Sequence, residues 1–285
     1  MRGRRFATEA DIDRHLSNGF GQGAGASYLP WLRVQDVPSR GHSRKIQGVK
    51  VDRLHHFFSN LEYSYFLINE FSEDVIDIRE QYPLLPRDRA QTVASALGLK
   101  YPNYPRTTLP YVMTTDFLLT VRKLDGSFES VARTVKYQGD LSGENSRRTL
   151  EKLEIEKHFW NAQGVSWEII TESDFTVELV QNLGLLRKFS KISRALTQPE
   201  IVSEFLSRLM EYKHYPWTTA QVLKKISTQL FVSYQDSRAL YNNLIWNKQI
   251  KLNLSIAPLQ TGMPLPEFTI PEITYPGLKL AERIL

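Results

Sequence analysis

Tyr111-Val-Met-Thr-Thr-Asp-Phe-Leu-Leu-Thr-Val121 and Ser127-Phe-Glu-Ser-Val-Ala-Arg-Thr-Val-Lys-Tyr137, joined through Lys123-Leu-Asp-Gly126, decide how this chain is read. Both stretches are rich in β-branched and aromatic residues, which suit a pleated, half-buried surface. An Asp-Gly pair between two such runs signals a hairpin. The hairpin carries Lys136 back beside Asp116. An ionised aspartate among apolar neighbours in mid-strand needs a compensating partner, because a lone buried charge is costly.

Outward from the hairpin, the pattern alternates between helix and strand. Ser59 to Phe71 reads as a helix capped by Ser59 or Asn60, with Leu61, Tyr65, Phe66, Ile68 and Asn69 giving a mostly apolar face. Val75 to Tyr82 reads as a strand ended by Pro83-Leu-Leu-Pro86, and Arg87 to Thr108 as a loop with a short helix near Thr92 to Leu97. Ser146 to Gln163 is a helix stopped by Gly164, with Leu150, Leu153, Phe159 and Trp160 inward, and Val165 to Thr171 is a further strand. Residues 51–175 therefore form one mixed α/β domain. Before it lies a basic arm, 1–50, with a short helix from Thr8 to Leu16. The Gly-rich run Gly19 to Gly25 has no strand before it and no helix after it, so it is read as flexible linker and not as a dinucleotide loop. Beyond it, 176–257 shows helical periodicity at Phe175–Leu183, Pro199–Tyr212, Thr218–Phe231 and Ser233–Asn247. The strict alternation Gln249 to Ile256 follows. This is the pattern of a mainly α, winged helix-turn-helix domain. Residues 258–285, with Pro258, Pro264, Pro266, Pro271 and Pro276, read as an extended tail.

Charge follows the same division. Residues 1–50 hold nine Lys/Arg against four Asp/Glu, residues 51–175 fourteen against nineteen, and residues 176–285 thirteen against eight. Basic flanks around an acidic centre suit a DNA-binding protein that gathers carboxylates for metal ions, and they equally suit ordinary solvated faces. The chain has no cysteine, which excludes disulfides, thiol nucleophiles and Cys-based zinc sites. No apolar segment has the length of a membrane span or secretory signal, so the expected location is the bacterial cytoplasm, with no membrane partner.

Three residues in the central domain carry the chemistry a metal nuclease needs. Glu62 lies in the first turn of the Ser59 helix, Asp116 in mid-strand, and Lys136 on the returning strand. Carboxylate oxygens suit Mg²⁺, which can activate water, and a lysine beside it can orient that water or neutralise developing charge. The same residues also fit an Asp–Lys cross-strand ion pair and a helix N-terminal Glu favoured by the macrodipole; spacing alone favours this plainer reading, since such strand pairs are common in α/β proteins. Gln81, on the strand face of Asp77 and Arg79, is a possible neighbour of the site. Arg44, Lys45, Arg147, Arg148, Lys224 and Lys225 are candidate DNA contacts. Trp217, Tyr241 and Trp246 are read as core of the C-terminal domain, and the His55-His56 pair as packing or surface.

At these residues a resemblance enters. His55-His-Phe-Phe-Ser-Asn-Leu-Glu62, Val75-Ile-Asp-Ile-Arg-Glu-Gln-Tyr-Pro-Leu-Leu-Pro86, Met113-Thr-Thr-Asp-Phe-Leu118 and Arg148-Thr-Leu-Glu-Lys-Leu-Glu-Ile-Glu156 resemble the TnsA family, the endonuclease subunits of heteromeric cut-and-paste transposases. Gly21-Gln-Gly, Tyr28-Leu-Pro-Trp31 and Val37-Pro-Ser39 look like its N-terminal arm, so the similarity runs in order from about residue 8 to 175. It implies a restriction-endonuclease-like mixed sheet with flanking helices, followed by a winged helix. It further implies cleavage of the 5′ strand at transposon ends, beside a TnsB-type transposase and a TnsC-type ATPase regulator. Glu62, Asp116 and the Val135 carbonyl would hold Mg²⁺, with Mn²⁺ able to substitute and two ions expected, and Lys136 would be the catalytic lysine. One position departs. Where the family has Gln or an acidic residue two places before the lysine, this chain has Thr134, a weaker metal ligand. That departure opens the alternative of a catalytically weakened DNA-binding scaffold in the same complex.

Overall fold

The hairpin is the centre of the first of two units, which ends at Asp174. In a computed structural model, which describes residues 6–37, 42–143 and 146–271, strands β4 (Thr114–Arg122) and β5 (Phe128–Val135) pair antiparallel from Arg122↔Phe128 to Phe117↔Arg133. The remaining elements of the first unit, in chain order, are α1 (Glu9–Ser17), β1 (Arg44–Gln47), β2 (Leu54–Phe57), α2 (Asn60–Phe71), β3 (Val75–Pro83), α3 (Arg87–Ala96), α4 (Gln138–Ser142), α5 (Ser146–Asn161) and β6 (Ser166–Ile170). The sheet order is β3-β4-β5-β6, antiparallel except for the parallel β5/β6 pair, which α5 connects. β1 and β2 form a separate antiparallel pair.

Helices cover both faces. On one, Ile155, Phe159 and Trp160 of α5 and Ala90 and Ala94 of α3 bury against Met113, Leu118 and Ala132. On the other, Phe117 meets Phe57 and, from α2, Tyr65, with Phe66 tilted against Phe57 at 4.7 Å between ring centroids. Successive strand side chains alternate faces, so Phe117 and Leu118 serve opposite layers. A mixed sheet clothed this way fits a restriction-endonuclease-like core.

The expected flexible arm is, over residues 6–37, a built part of this unit. Phe6, Ile12, Phe20 and Trp31 share a core cluster with Tyr104, Leu109 and Val112. His15 Nε2 hydrogen-bonds the Trp31 carbonyl at 2.8 Å, Tyr28 Oη donates to the Glu80 carbonyl at 3.0 Å, and the Trp31 N–H donates to the Gln81 carbonyl at 3.2 Å. The glycines serve turns at the cluster's edge: Gly21 has φ +74° and approaches Pro83 so closely that an added Cβ would lie 2.4 Å from its ring.

A second unit begins at Phe175. It contains α6 (Val177–Leu186), α7 (Pro199–Glu211), α8 (Thr219–Gln229), α9 (Tyr234–Trp246), β7 (Lys251–Leu252) and β8 (Phe268–Thr269). The alternation from Gln249 to Ile256 yields a strand of only two residues, paired with Phe268–Thr269 from the Pro-rich stretch read as tail. That stretch is folded onto the helices as far as residue 271. Thr219 N–H donates to the Met263 carbonyl at 2.8 Å, and Asn182 Nδ2 donates to the carbonyls of Leu254 and Ala257, each at 2.8 Å. The rest of the expected tail, 272–285, lies outside the described residues. No helix among the described residues is long and apolar enough to cross a membrane.

Candidate active site

The β4/β5 ladder stops at Phe117↔Arg133, and Asp116 sits where the two strands part. Its Oδ2 takes over the bond the ladder would have made, accepting from the Val135 N–H at 2.8 Å, and accepts from Lys136 Nζ at 2.8 Å as well. Lys136 Nζ also donates to the Val135 carbonyl at 2.9 Å. Among the described residues nothing donates a hydrogen bond to Oδ1 of Asp116, and Asp116 lines a cleft of about 220 Å³ together with Thr134, Lys136, Lys152 and Glu156.

Glu62 reaches the site from the opposite layer. Ser59 caps α2 by accepting from the Glu62 N–H at 3.0 Å; in return Glu62 Oε1 accepts from Ser59 Oγ at 3.1 Å and Oε2 from the Phe58 N–H at 3.0 Å. This reciprocal cap holds a carboxyl that is almost wholly buried. Burial, and then the charge of nearby Asp116, push its pKa up to about 8. The helix-terminal role and the Asp–Lys pair foreseen as the plainer reading are thus both present. They are built into one buried cluster, and Glu62 is not on the cleft wall.

The structure adds a residue that sequence reading missed. Glu156, on the inner face of α5 and 3% exposed, accepts hydrogen bonds from the hydroxyls of Thr115 and Thr134, and Trp160 Nε1 donates to Thr115 Oγ1 at 3.2 Å. Burial and then Asp116 raise its carboxyl to about 7. Its readable signal was an acid on the same helical stripe as Leu153, Phe159 and Trp160, where a surface glutamate has no place. Burial works against the charge of Lys136, but Asp116, followed by Glu156 and Glu62, holds its pKa above the ordinary lysine value. Lys152, on the same wall, is pushed down by burial and by Arg148 and Lys136.

Glu62, Asp116, Thr134, Val135 and Lys136 are therefore brought together. Gln81 is buried with φ 51°, and its side chain reaches the cleft wall only through Thr114 Oγ1, which donates to it at 3.3 Å. Arg44 stands on β1, bonded to Asn60 and lying 4.7 Å from the Tyr63 ring centroid, with exposed Lys45 beside it. Arg147 and Arg148 open α5, both paired with Glu151. Lys224 and Lys225 are exposed on α8 of the second unit. That unit also holds a largely apolar cavity of about 720 Å³, which includes none of the nominated residues. His55 and His56 are buried as expected of packing residues: His55 Nδ1 is 2.9 Å from Glu80 Oε2, and burial pushes His56 down to about 4.

Among the described residues no group of three His, Cys, Asp or Glu side chains is close enough to hold a metal ion alone. Mg²⁺ does not require one: it keeps several waters and is commonly held by one or two carboxylates with substrate phosphate. An Asp116 oxygen without a hydrogen bond, the Val135 carbonyl and buried Glu62 fit that donor chemistry.

Residues 72–172, which include β3 through β6, match the family model of the TnsA-like endonuclease N-terminal domain. Over 207 residues, 73% of this chain and 70% of the relative, it is 39% identical to the transposon Tn7 transposition protein TnsA of Escherichia coli. With its sheet, its lysine–aspartate pair and this degree of identity, the chain belongs to the TnsA family of transposon endonuclease subunits.

Proposed function

We propose that the protein is a Mg²⁺-dependent endonuclease that hydrolyses the 5′ strand at transposon ends, acting with a TnsB-type transposase and a TnsC-type ATPase regulator. The observation that carries this reading is the fork at Asp116. One oxygen is held by Lys136 and the Val135 N–H, and the other accepts nothing from the described residues and belongs to a residue of the cleft wall. A bound Mg²⁺, or Mn²⁺ in its place, would supply activation of water and stabilisation of charge on the phosphate. Asp116 and the Val135 carbonyl would hold it, with Glu62 behind them. Lys136, whose cationic form Asp116 favours most, donates to the attacking water or to a phosphate oxygen. Lys152 adds a second cation to the wall against which the phosphodiester lies. A second reading, a DNA-binding scaffold with a weakened site, is favoured by one observation: the Thr134 hydroxyl is committed to Glu156.

The test is cleavage of an end-labelled transposon-end duplex with both partner subunits and Mg²⁺. Wild type cuts the 5′ strand, and Asp116→Ala and Lys136→Ala each lower the rate by about a thousandfold or more, on the scale of losing one transition-state donor. Wild-type rates for Asp116→Ala overturn the assignment. An assembled complex of wild-type protein that leaves the 5′ strand intact establishes the scaffold reading.

A further inference from the structure

The outer face of α8 and the turn after it carry side chains that the nuclease site does not use. Trp217, Gln221, Lys224, Lys225 and Thr228 line one surface groove of about 310 Å³. Trp217 is propped by Tyr215 and Tyr212, with ring centroids 4.8 and 5.4 Å away, and Tyr212 is itself buried and accepts from Gln229 Nε2 at 2.8 Å. Among the described residues neither lysine has a carboxylate partner. Residues 184–251 as a whole hold eleven Lys/Arg against four Asp/Glu.

The turn beyond α8 is more unusual. Its last turn closes with the Val232 N–H on the Ser227 carbonyl at 3.0 Å, which places Phe231 at the left-handed position of the cap, φ 55°. Glycine is the usual occupant there, and a bulky side chain carries a steric penalty. The position after α9 also holds a non-glycine, Lys248 (φ 58°), but that residue is half-buried. Phe231 is 96% exposed, so its ring recovers nothing by packing within this chain. A strained, exposed aromatic thus stands nearly two turns past the two lysines, with no packing in this chain to offset its strain.

In an ordinary helix-turn-helix the second helix would read DNA. Here α9 buries Ser237 and every residue from Leu240 to Trp246, and the exposed part of its N-terminal half offers a single basic side chain, Arg238. The exposed, cationic face belongs to α8. We propose that this face is a duplex-DNA binding surface: Lys224 and Lys225 meet phosphates, Trp217 lies against the backbone between them, and Phe231 enters a base step as a wedge. The occupant is assigned as DNA because the face offers cations and aromatic rings with no acidic side chain among the groove residues. The proposal rests on the reading of the protein as a DNA-processing enzyme.

The full-length chain carrying Asp116→Ala, which removes cleavage, is titrated with fluorescent transposon-end duplex at several salt concentrations. Lys224→Ser with Lys225→Ser reduces the slope of log affinity against log salt by about 1.8, since each phosphate contact contributes ~0.9. Phe231→Gly lowers affinity by about tenfold while the melting temperature stays the same or rises, because glycine accepts the left-handed backbone. A structural role for Phe231 would instead lower the melting temperature. An unchanged salt slope in the lysine pair, or wild-type affinity in Phe231→Gly, overturns the proposal. Loss of binding to the ATPase regulator with DNA affinity intact also overturns it and makes the face a protein-docking surface. The same three substitutions placed in the otherwise wild-type chain separate this proposal from the nuclease reading. Asp116-dependent cleavage that survives them alongside unchanged DNA binding refutes only the proposal.

Discussion

Replacing Glu80 by Gln tests the framework that holds the site. Glu80 is fully buried on β3, where its carboxylate accepts from Arg53 Nη1 at 2.8 Å and the His56 N–H at 3.0 Å, and lies 2.9 Å from His55 Nδ1. Arg53 is also buried, reaching the Ile78 carbonyl with Nη2 at 2.6 Å. The network ties β2, which leads directly into Glu62's helix, to the strand beside Asp116. Burial opposes the charge of Glu80, but the Arg53 and His55 bonds win and pull its carboxyl down to about 2 from an ordinary 4.5. A depressed carboxyl contributes stability that is full above the unfolded value and is lost as pH falls through the folded one. At neutral pH the shift corresponds to about 3 kcal/mol, of which roughly 2 is gone by pH 3. Removing one partner of a buried pair independently predicts a loss of about 3–5 kcal/mol, because Arg53 is left uncompensated. Glu80→Gln should therefore destabilise the N-terminal unit by about 3 kcal/mol at pH 7, with the gap from wild type narrowing between pH 4.5 and pH 2. The measurement is urea titration read by hydrogen exchange over residues 44–83, so that the second unit does not contribute. A loss below about 1 kcal/mol at pH 7, or a gap that stays constant down to pH 2.5, refutes the reasoning.

Three further outcomes are expected. Phe66→Ala empties a fully buried site between Phe57 and Tyr63 and should cost about 3–5 kcal/mol by urea unfolding, with cleavage falling as the helix bearing Glu62 loosens. Glu156→Gln keeps an oxygen for the two threonine hydroxyls, so the fold should survive by circular dichroism; Glu156→Ala takes away the acceptor that both hydroxyls share and should cost about 1–3 kcal/mol. Asn182→Leu removes the side chain that bonds the carbonyls of Leu254 and Ala257 and the N–H of Leu259, and should free this segment to proteolysis before the helices unfold.

The elements that could be read from sequence were those whose signal is local. The Ser59 cap, the hairpin with its Asp-Gly turn and the amphipathic α5 all stand close to where periodicity and capping put them. What escaped depended on distant partners. Phe6, Phe20 and Trp31 look like residues of a loose arm until Tyr104, Leu109 and Val112 arrive from a loop some eighty residues on. The alternation from Gln249 to Ile256 promised a ribbon, yet the chain turns at Asn253, whose side chain accepts from the Ser255 N–H at 2.9 Å. Polarity misled most in α9. Ser237 and Asn243 are polar residue types, yet they are buried and bond the carbonyls of Leu223 and Phe189. Glu156 escaped for the same reason: a charged residue type is assumed to be solvated unless its partners are visible.

Thr134 and Glu156 together bear on whether the departure at Thr134 weakens the site. Thr134 is only 2% exposed, and its hydroxyl faces Glu156, with Thr115 bonded to the same carboxylate oxygen. A longer Gln or acidic side chain at this position would reach further from β5 than a hydroxyl does. Here that reach is supplied from the opposite side by α5, whose Glu156 shares the cleft wall with Asp116 and Lys136. The cleft wall beside Thr134 thus carries an acidic side chain that comes from the helix. On this reasoning Thr134→Ala and Glu156→Gln should be coupled: if the hydroxyl works only by holding the carboxylate, the double variant cleaves no more slowly than Glu156→Gln alone. Additive losses in cleavage would show that Thr134 acts on the phosphate or its ion by itself, and that the helix does not stand in for the strand.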